Sequence, residues 1–245
     1  RQMCIRDRTL SQAQRNKFDS LIKGNEPQSG DHILEIGSGW GSFAFYLISK
    51  YPDITIDTLT ISQEQYDFVK SKIEDNHLQG KLNVIFKDYR EHQGEYSRIY
   101  SIEMFEAVGM QYWQIYFDKI KDLLKPSGVF SMQTIVIFEE LFDKYSQKID
   151  FIQKYIFPGG MLPTVKTLEN IAYEKKFDFL IKNQMADSYY QTLEMWRQNF
   201  NHKWDKIKNL GYSNEFKRMW NFYLSYCSGG FKAKTIDVFQ IDFTK

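Results

Sequence analysis

The sequence has little cysteine and no long apolar run. Cys4 and Cys227 are its two cysteines, and they lie too far apart for a disulfide framework or for the ligand spacing of a metal site. Such low cysteine use is typical of a reducing compartment. No apolar run reaches the ~20 residues that span a bilayer, and no signal peptide is visible at the start. We therefore expect a cytoplasmic protein that binds no metal.

The sequence also lacks an excess of charge of either sign. Its 245 residues include 32 basic and 31 acidic side chains, which gives a net charge of +1. No field strong enough to attract nucleic acid follows from that balance. Aromatic residues are abundant at 17%. They suit a pocket for an apolar or cationic ligand, and they equally suit a core that is simply rich in aromatic side chains.

The first eight residues, RQMCIRDR, match poorly with the rest of the chain. They resemble a translated sequencing-adapter peptide of the kind found at the ends of metagenomic gene fragments. We expect residues 1–8 to be a non-native leader, the natural sequence to begin near Thr9, and the true N-terminus to be missing. The length of the remainder suits a single domain over 9–245.

Short apolar runs and helical patterns alternate from Asp31 onward. HILEIG, ITIDTLT, KLNVIFKD, SRIYSIEMF and VFSMQTIVIF are predicted strands, and FDFLIKN and KTIDVFQIDF follow nearer the C-terminus. Helices between the first five strands indicate a doubly wound, mostly parallel α/β sheet. The alternation breaks after the fifth strand, so we expect a helical lid, inserted at about 139–170, over the ligand crevice.

A glycine turn, GSGWG, follows the first strand, where ligands bind in open α/β sheets. Gly37, Gly39 and Gly41 let the backbone turn sharply and approach a ligand. The pattern is not a complete dinucleotide fingerprint, so a tight strand-to-helix connection is the alternative. A short glycine pattern that follows an acidic strand residue, here Glu35, resembles the turn of S-adenosylmethionine (SAM)-dependent methyltransferases.

The next two strands also end in polar segments. Ser62 and Gln65 in TISQEQ either form a capping box at a helix start or face a nucleoside. Tyr89, in KDYR, is placed to stack on adenine, and a solvated loop is the alternative. In SIEMFEAVG, two carboxylates, Glu103 and Glu106, stand among apolar residues, which is costly unless they are paired.

Eight segments, in this order, resemble the cyclopropane-fatty-acid and mycolic-acid cyclopropane synthase family. The resemblance covers the chain from about Thr9 to Lys245, and the FEAVG and KYIFPGG motifs are its most distinctive parts. The segments are LEIGSGWGSFAF, TLTISQEQ, KDYR, SIEMFEAVG, YFDKIKDLLKPSGVFSMQTI, DFIQKYIFPGGMLP, YYQTLEMWRQNF and RMWNFYLSYCSGGF. The resemblance implies the fold of a Rossmann-like class I SAM-dependent methyltransferase.

The resemblance implies methyl transfer from SAM to the double bond of an unsaturated phospholipid acyl chain. Attack of the alkene on the sulfonium methyl group leaves a carbocation, and loss of a proton closes a cyclopropane ring. In the family a bound bicarbonate accepts that proton. The cation needs a dry pocket lined with aromatic faces.

The resemblance assigns the bicarbonate site to Glu106, to Tyr189 and to the backbone of Ile135. Gln133 stands where better-known members have histidine, so it can form hydrogen bonds but cannot titrate. Cys227 matches a cysteine once proposed as the nucleophile, although the mechanism needs no thiolate and a packed structural role is the alternative. Glu103 is interpreted as a helix N-terminal carboxylate favoured by the helix dipole.

The resemblance also assigns the SAM site, at the ends of the first three strands. KYIFPGGMLP and the later tryptophans would shape the acyl channel, although Trp196, Trp204 and Trp220 are interpreted as core residues. The residues assigned to SAM are Glu35, Gly37, Ser38, Gly39, Trp40, Gly41, Thr60, Ile61, Ser62, Gln65, Tyr89 and Arg90.

Three other functions stay open. The same cation could give a methylene or methyl-branched chain, the acceptor could be a small amine, or the chain could be a SAM-binding scaffold without catalysis. We expect the protein to act on unsaturated phospholipid acyl chains and to associate peripherally with the inner face of the membrane. A homodimer and a flavin-dependent reductase are further partners left open by the resemblance.

Overall fold

The structure is a computed structural model that describes residues 9–245, so the predicted leader lies outside the described residues. Seven strands form one sheet in the order β3-β2-β1-β4-β5-β7-β6. All pairs from β3 to β5 are parallel, whereas β7 runs antiparallel to both β5 and β6. The predicted doubly wound, mostly parallel sheet is confirmed. The strands are β1 His32–Ile36, β2 Thr55–Thr60, β3 Leu82–Phe86, β4 Tyr96–Ile102, β5 Leu124–Ile137, β6 Asp178–Gln184 and β7 Ile236–Thr244.

Helices cover both faces of the sheet because successive strand residues point to opposite sides. On β1, Leu34 packs into the core cluster that contains α4 and α7 residues, and Ile33 packs into the cluster that contains α1, α2 and α3 residues. The helices are α1 Leu10–Ile22, α2 Ser42–Lys50, α3 Gln63–Asp75, α4 Trp113–Leu123, α5 Glu139–Ser146, α6 Phe151–Tyr155, α7 Val165–Lys175, α8 Ala186–His202, α9 Trp204–Lys208 and α10 Asn214–Lys232.

Two helix starts next to the predicted site follow from local sequence. Gly41 precedes α2 with φ 81°, a conformation that costs glycine little. Ser62 precedes α3, and its hydroxyl accepts a hydrogen bond from the backbone N–H of Gln65 at 3.3 Å. The Ser62 half of the predicted capping box is present, whereas the Ser62 N–H donates to the Thr60 hydroxyl at 3.1 Å instead of to the Gln65 side chain. The cap at Ser62 fixes the chain direction where β2 ends.

The strand β5 begins earlier than the sequence pattern predicts. The segment KPSG, which precedes the predicted strand VFSMQTIVIF and has turn-forming residues, is a bulge inside the strand: Tyr96 pairs with Leu124 and Arg98 already pairs with Val129. Ser127 takes up the extra length with φ 59°. The functional end of β5, residues 133–137, keeps a regular register against β7.

The predicted lid segment contains α5, α6 and the beginning of α7. Its last residues, 165–170, belong to α7, whose Leu168 is fully buried in the main core. The Phe151 ring of α6 packs against the Phe222 ring of α10 at a centroid distance of 4.6 Å, so α6 contacts α10. Across residues 9–245, no helix combines the length and apolarity that crossing a membrane requires.

Candidate active site

A crevice of about 630 Å³ opens at the carboxyl ends of β1, β2 and β3. This is the position at which open α/β sheets bind ligands. Seven of the residues predicted to bind SAM line it: Gly37, Thr60, Ile61, Ser62, Gln65, Tyr89 and Arg90. Thr60 donates a hydrogen bond to the Gln65 side-chain oxygen at 2.9 Å, so these two side chains form one polar wall.

The glycine turn is shaped by close contacts. Gly37 has φ 92°, and a Cβ built there would lie 3.0 Å from Cγ of Met104. A Cβ at Gly41, with φ 81°, would lie 2.8 Å from the Phe45 ring. Any side chain at either position would meet both backbone strain and a neighbouring side chain. These glycines therefore let the turn fit against its neighbours, including the segment after β4.

Five other residues predicted to bind SAM are not among those that line the crevice: Glu35, Ser38, Gly39, Trp40 and Gly41. The Glu35 carboxylate is buried and accepts a hydrogen bond from the Thr58 hydroxyl at 2.6 Å. Burial raises the pKa of Glu35 to about 8, against that hydrogen bond. Trp40 is 55% exposed and meets Phe68 edge-on. Glu35 thus binds the neighbouring strand β2 and is not among the residues that line the crevice.

Asp88 is a crevice residue that the sequence interpretation did not single out. Its carboxylate binds the Arg90 guanidinium, with Nη2 at 2.6 Å and Nε at 3.0 Å. Hydrogen bonds from Arg90 hold the pKa of Asp88 below its usual value. Arg90 is therefore occupied by its own neighbour, and Asp88 presents negative charge beside Tyr89. The sequence signal that could have identified Asp88 is its position in KDYR, at the end of a predicted strand.

A second cavity, of about 810 Å³, lies among α1, α2 and α8. Lys17, Glu103, Tyr189 and Trp196 are among its lining residues. Glu103 lines this cavity, and the next residue, Met104, lines the nucleotide crevice. The segment after β4 therefore forms a wall shared by the two cavities.

The carboxylate of Glu103 joins three side chains from distant elements. Its Oε1 accepts hydrogen bonds from Gln133 Nε2 at 2.7 Å and from the Tyr189 hydroxyl. Gln133 Nε2 also donates to the Tyr189 oxygen at 2.8 Å. The Lys17 ammonium lies 3.7 Å from the same Oε1. We call these four residues the Glu103 cluster.

The interpretation of Glu103 as a helix N-terminal carboxylate is wrong. Glu103 has φ 51°, which is rare for a residue with a side chain. Its carboxylate is committed to β5, α8 and α1 rather than to a helix terminus. Lys17 was missed because it is distant in sequence, in a helix that the interpretation did not connect to the site. The apolar setting of SIEMFEAVG was the one signal.

Gln133 is held in one orientation. Its Oε1 accepts a hydrogen bond from Gln240 Nε2 at 2.9 Å, so its Nε2 faces the Glu103 cluster. Gln240 is itself bound, since its Nε2 donates to the Lys17 carbonyl at 2.9 Å and its Oε1 accepts from Ser20 at 2.7 Å. Both glutamines are fully buried. A buried amide with every partner in place is a rigid donor.

Glu106 lies in a 3₁₀ turn at 105–107, close to the Glu103 cluster. Its Oε1 accepts hydrogen bonds from the Ile135 backbone N–H at 2.5 Å and from the Thr134 hydroxyl at 3.1 Å. Its Oε2 is buried and has no hydrogen-bond partner among residues 9–245. Burial, together with the charge of Glu103, raises the pKa of Glu106 to about 7. The structure thus brings together the predicted residues Glu106 and Ile135.

The KYIFPGG motif contacts the FEAVG motif directly. The Met161 N–H donates to the Glu106 carbonyl oxygen at 2.9 Å. A Cβ at Gly160 would lie 3.3 Å from that oxygen. Pro158 and Gly159 line the nucleotide crevice. The two most distinctive motifs of the sequence therefore pack against each other at the crevice, while the Glu106 side chain binds the end of β5.

Cys227 packs among apolar side chains in a cluster that also includes Tyr189 and Ile135. Burial raises the pKa of the Cys227 thiol to about 12, so the thiol is protonated at neutral pH. That state does not suit a nucleophile. Of the three tryptophans interpreted as core residues, Trp204 is buried, whereas Trp196 is 50% exposed and lines the second cavity.

The residues at the crevice fit SAM, and those at the bicarbonate position do not fit a further anion. The backbone of Gly37 lines the crevice beside the polar side chains of Thr60 and Gln65, which suits the polar groups of a nucleoside. In contrast, the donors that the resemblance assigns to bicarbonate already bind the chain's own carboxylates. Ile135 N–H donates to Glu106, and Gln133 and Tyr189 donate to Glu103.

Comparison with known proteins agrees with this architecture. The family model for mycolic acid cyclopropane synthetase matches residues 4–241. The solved structure of the cyclopropane synthase MmaA2 from Mycobacterium tuberculosis superposes with a TM-score of 0.88 and 26% identity, covering 98% of this chain and 87% of that one. A structure of mycolic acid cyclopropane synthase CmaA1 complexed with SAH and CTAB also gives 0.88 and 26% identity, with coverage of 98% and 86%.

Two curated relatives are each 33% identical to the chain. One is the tuberculostearic acid methyltransferase UfaA1 of Mycobacterium tuberculosis, aligned over 94% of this chain and 54% of its own length. The other is the cyclopropane-fatty-acyl-phospholipid synthase of Escherichia coli, aligned over 96% of this chain and 59% of its own length. The chain thus spans a little over half the length of these relatives. With the class I SAM-dependent methyltransferase fold, the chain belongs to the mycolic acid cyclopropane synthetase family.

Proposed function

We propose that the protein transfers the methyl group of SAM to the double bond of an unsaturated phospholipid acyl chain and forms a cyclopropane ring. Relatives named for lipid acyl substrates support this class of acceptor. The observation that carries the proposal is the wall shared by the two cavities. Met104 lines the crevice suited to SAM, and Glu103 lines the cavity suited to an acyl chain.

The second cavity offers the surroundings that a lipid cation needs. Phe45 and Tyr46 from α2 and Trp196 from α8 supply aromatic surface, and Met185 adds apolar area. Aromatic faces tolerate a nearby cation through their negative quadrupoles. Lys17 is the ammonium of the Glu103 cluster, and burial lowers its pKa. The cavity therefore combines apolar walls with one polar wall.

The chain's residues divide the reaction between the two cavities. SAM, when bound, supplies an electrophilic methyl group. The walls formed by Thr60, Gln65 and Tyr89 would hold it at the strand ends, and the second cavity would align the double bond with the shared wall. Excluding water there protects the cation until a proton leaves. Glu106 organises the end of β5 by binding the Ile135 N–H.

Bicarbonate is the proton acceptor that the resemblance implies. Tyr189 and Gln133, two of its expected donors, point at Glu103 in this chain, and the Ile135 N–H points at Glu106. A bicarbonate ion bound there would have to displace a protein carboxylate from its donors. Bicarbonate dependence is therefore a property to measure rather than a step of this mechanism.

A methyl-branched or methylene product is the second candidate. One relative is named a methyltransferase and the other a cyclopropane synthase, at the same identity to this chain. After a hydride shift, the same cation can lose a proton to give a methylene branch, and a separate reductase would have to reduce that double bond to give a methyl branch. A small amine acceptor is disfavoured because amines need no dry cation pocket, and a SAM-binding scaffold would not need the buried carboxylates.

We also propose peripheral association with the inner face of the membrane. Exposed apolar side chains cluster where α6 meets α10: Ile149 is 78% exposed, and Tyr155, Phe157, Phe222 and Tyr226 are each about half exposed. Such a patch on the lid side suits contact with lipid. Homodimer formation and a flavin-dependent reductase partner stay predictions. Sedimentation with and without the reductase would test both.

The deciding experiment uses full-length protein, methyl-labelled SAM and vesicles of monounsaturated phospholipid. Mass spectrometry of the fatty acid esters should show a gain of one methylene group, and ozonolysis should leave that product intact if it is a ring. Cleavage by ozone would instead identify a methylene branch. Label found on small amines alone, or SAM bound but not consumed, would refute the proposal.

A further inference from the structure

The Glu103 carboxylate occupies the place of an external anion. It accepts hydrogen bonds from Gln133 and Tyr189, two donors that the family resemblance assigns to bicarbonate. A carboxylate and a bicarbonate ion present the same planar pair of oxygen atoms to such donors. The Lys17 ammonium, 3.7 Å from the same Oε1, adds positive charge. The donors, the cation and the anion are therefore all supplied by the chain.

The backbone conformation of Glu103 is one that is found at functional sites. A residue with a side chain at φ 51° is strained, and such strain persists where surrounding contacts hold it and clusters at functional sites. Here the Glu103 N–H donates to the Gln133 carbonyl at 2.8 Å, which fixes the end of β4 against β5. The strained conformation directs the side chain into the second cavity, where it is 34% exposed.

We propose that Glu103 is the built-in proton acceptor of this enzyme and replaces bicarbonate. This inference rests on the proposed function. Glu106 is the other carboxylate at hand, but its Oε1 is bound to the Ile135 N–H and its Oε2 is buried. Glu103 differs in facing the cavity that is suited to the acyl chain. Glu106 is therefore a positioning residue, and Glu103 is the catalytic one.

The proton balance is simple. The π electrons of the double bond form a new C–C bond to the transferred methyl carbon, and the electrons of the broken S–C bond stay on sulfur, leaving S-adenosylhomocysteine. The acyl chain then carries a carbocation. Glu103 takes one proton from the transferred methyl group, and the electrons of that C–H bond close the ring. After the product leaves, the carboxylic acid formed on Glu103 returns its proton to water that enters the cavity.

The test compares wild type with Glu103→Gln and Glu103→Gly in buffers depleted of, or supplemented with, bicarbonate. Glycine suits φ 51°, so Glu103→Gly keeps the backbone and empties the anion position. Glu74→Gln, an exposed change on α3, is the matched control. Wild type and the control should turn over monounsaturated phospholipid vesicles equally well without bicarbonate. Glu103→Gln should lose about 100-fold or more, the contribution of a positioned general base.

Glu103→Gly should be inactive without bicarbonate and should regain activity when it is added. Binding is read separately from activity: bicarbonate should raise the melting temperature of Glu103→Gly and leave that of the wild type unchanged. Bicarbonate-dependent turnover or stabilisation of the wild type, or full activity of Glu103→Gln, would overturn the inference. If wild type alkylates no unsaturated lipid, the proposed function and the acceptor role both fail, while the melting temperatures still decide whether Glu103 fills an anion site.

Discussion

Replacing Glu106 with glutamine should change how protein stability depends on pH. Burial and the charge of Glu103 raise the pKa of Glu106 to about 7 in the folded chain, from an ordinary value of 4.5. Because the folded-state pKa is the higher one, the contribution of this group to stability is fully present below about pH 4.5. It is lost as the pH rises through about 7.

The size of the effect follows from the two pKa values. A change from 4.5 to about 7 is a roughly 300-fold change in proton affinity, which corresponds to at most about 3 kcal/mol. Glutamine is neutral at every pH, so Glu106→Gln does not lose this stability as the pH rises. The free energy of unfolding of Glu106→Gln, relative to wild type, should therefore rise by up to about 3 kcal/mol between pH 4.5 and pH 8.

Urea unfolding at several pH values measures this difference directly. Using the change across pH, rather than the value at one pH, removes the fixed cost of placing an amide beside Ile135. Glu74→Gln serves as the surface control. A difference between Glu106→Gln and wild type that stays flat, or falls with pH, would refute the account of a buried, destabilising carboxylate. The same variant should lose most of its lipid-alkylating activity, since the positioning of β5 is disturbed.

Further predictions concern the crevice and the cluster. Gly37→Ala should weaken SAM binding by about 10-fold in calorimetry, because φ 92° and the contact with Met104 together cost roughly 1–2 kcal/mol. The control is Gly80→Ala, where φ is 82° and no described atom lies within 4 Å of the added Cβ. This variant should lower stability without changing SAM affinity. Cys227→Ala should keep lipid alkylation within about two-fold, since the thiol is protonated and packed; an inactive but folded variant would contradict this. Tyr189→Phe should lower turnover at least about 10-fold in the vesicle assay, because Glu103 loses a charge-assisted hydrogen bond; unchanged turnover would exclude that role.

Much of the fold was accessible from the sequence because strand and helix periods alternate clearly. The strand containing Glu35, the cap at Ser62 and the last strand of the sheet are all marked by local patterns. The start of β5 was missed, since KPSG has turn chemistry and the strand absorbs it as a bulge at Ser127. Local propensity does not report pairing with a neighbour strand.

The site was predicted in part. Glu106 and Ile135 belong to the motifs at the ends of β4 and β5, and the structure brings them together. Glu103 was misjudged because its direction depends on a backbone conformation that no sequence pattern marks, and Lys17 because its partner Glu103 is far away along the chain. Long-range polar contacts of this kind emerge only when the elements are assembled.

The most direct test of the central claim uses SAM with a fully deuterated methyl group and monounsaturated phospholipid vesicles. If a proton leaves the transferred methyl group during ring closure, the saturated cyclic product should retain two deuterium atoms from each transferred group. A product that retains all three, or vesicle lipids that acquire no deuterium, would contradict the account.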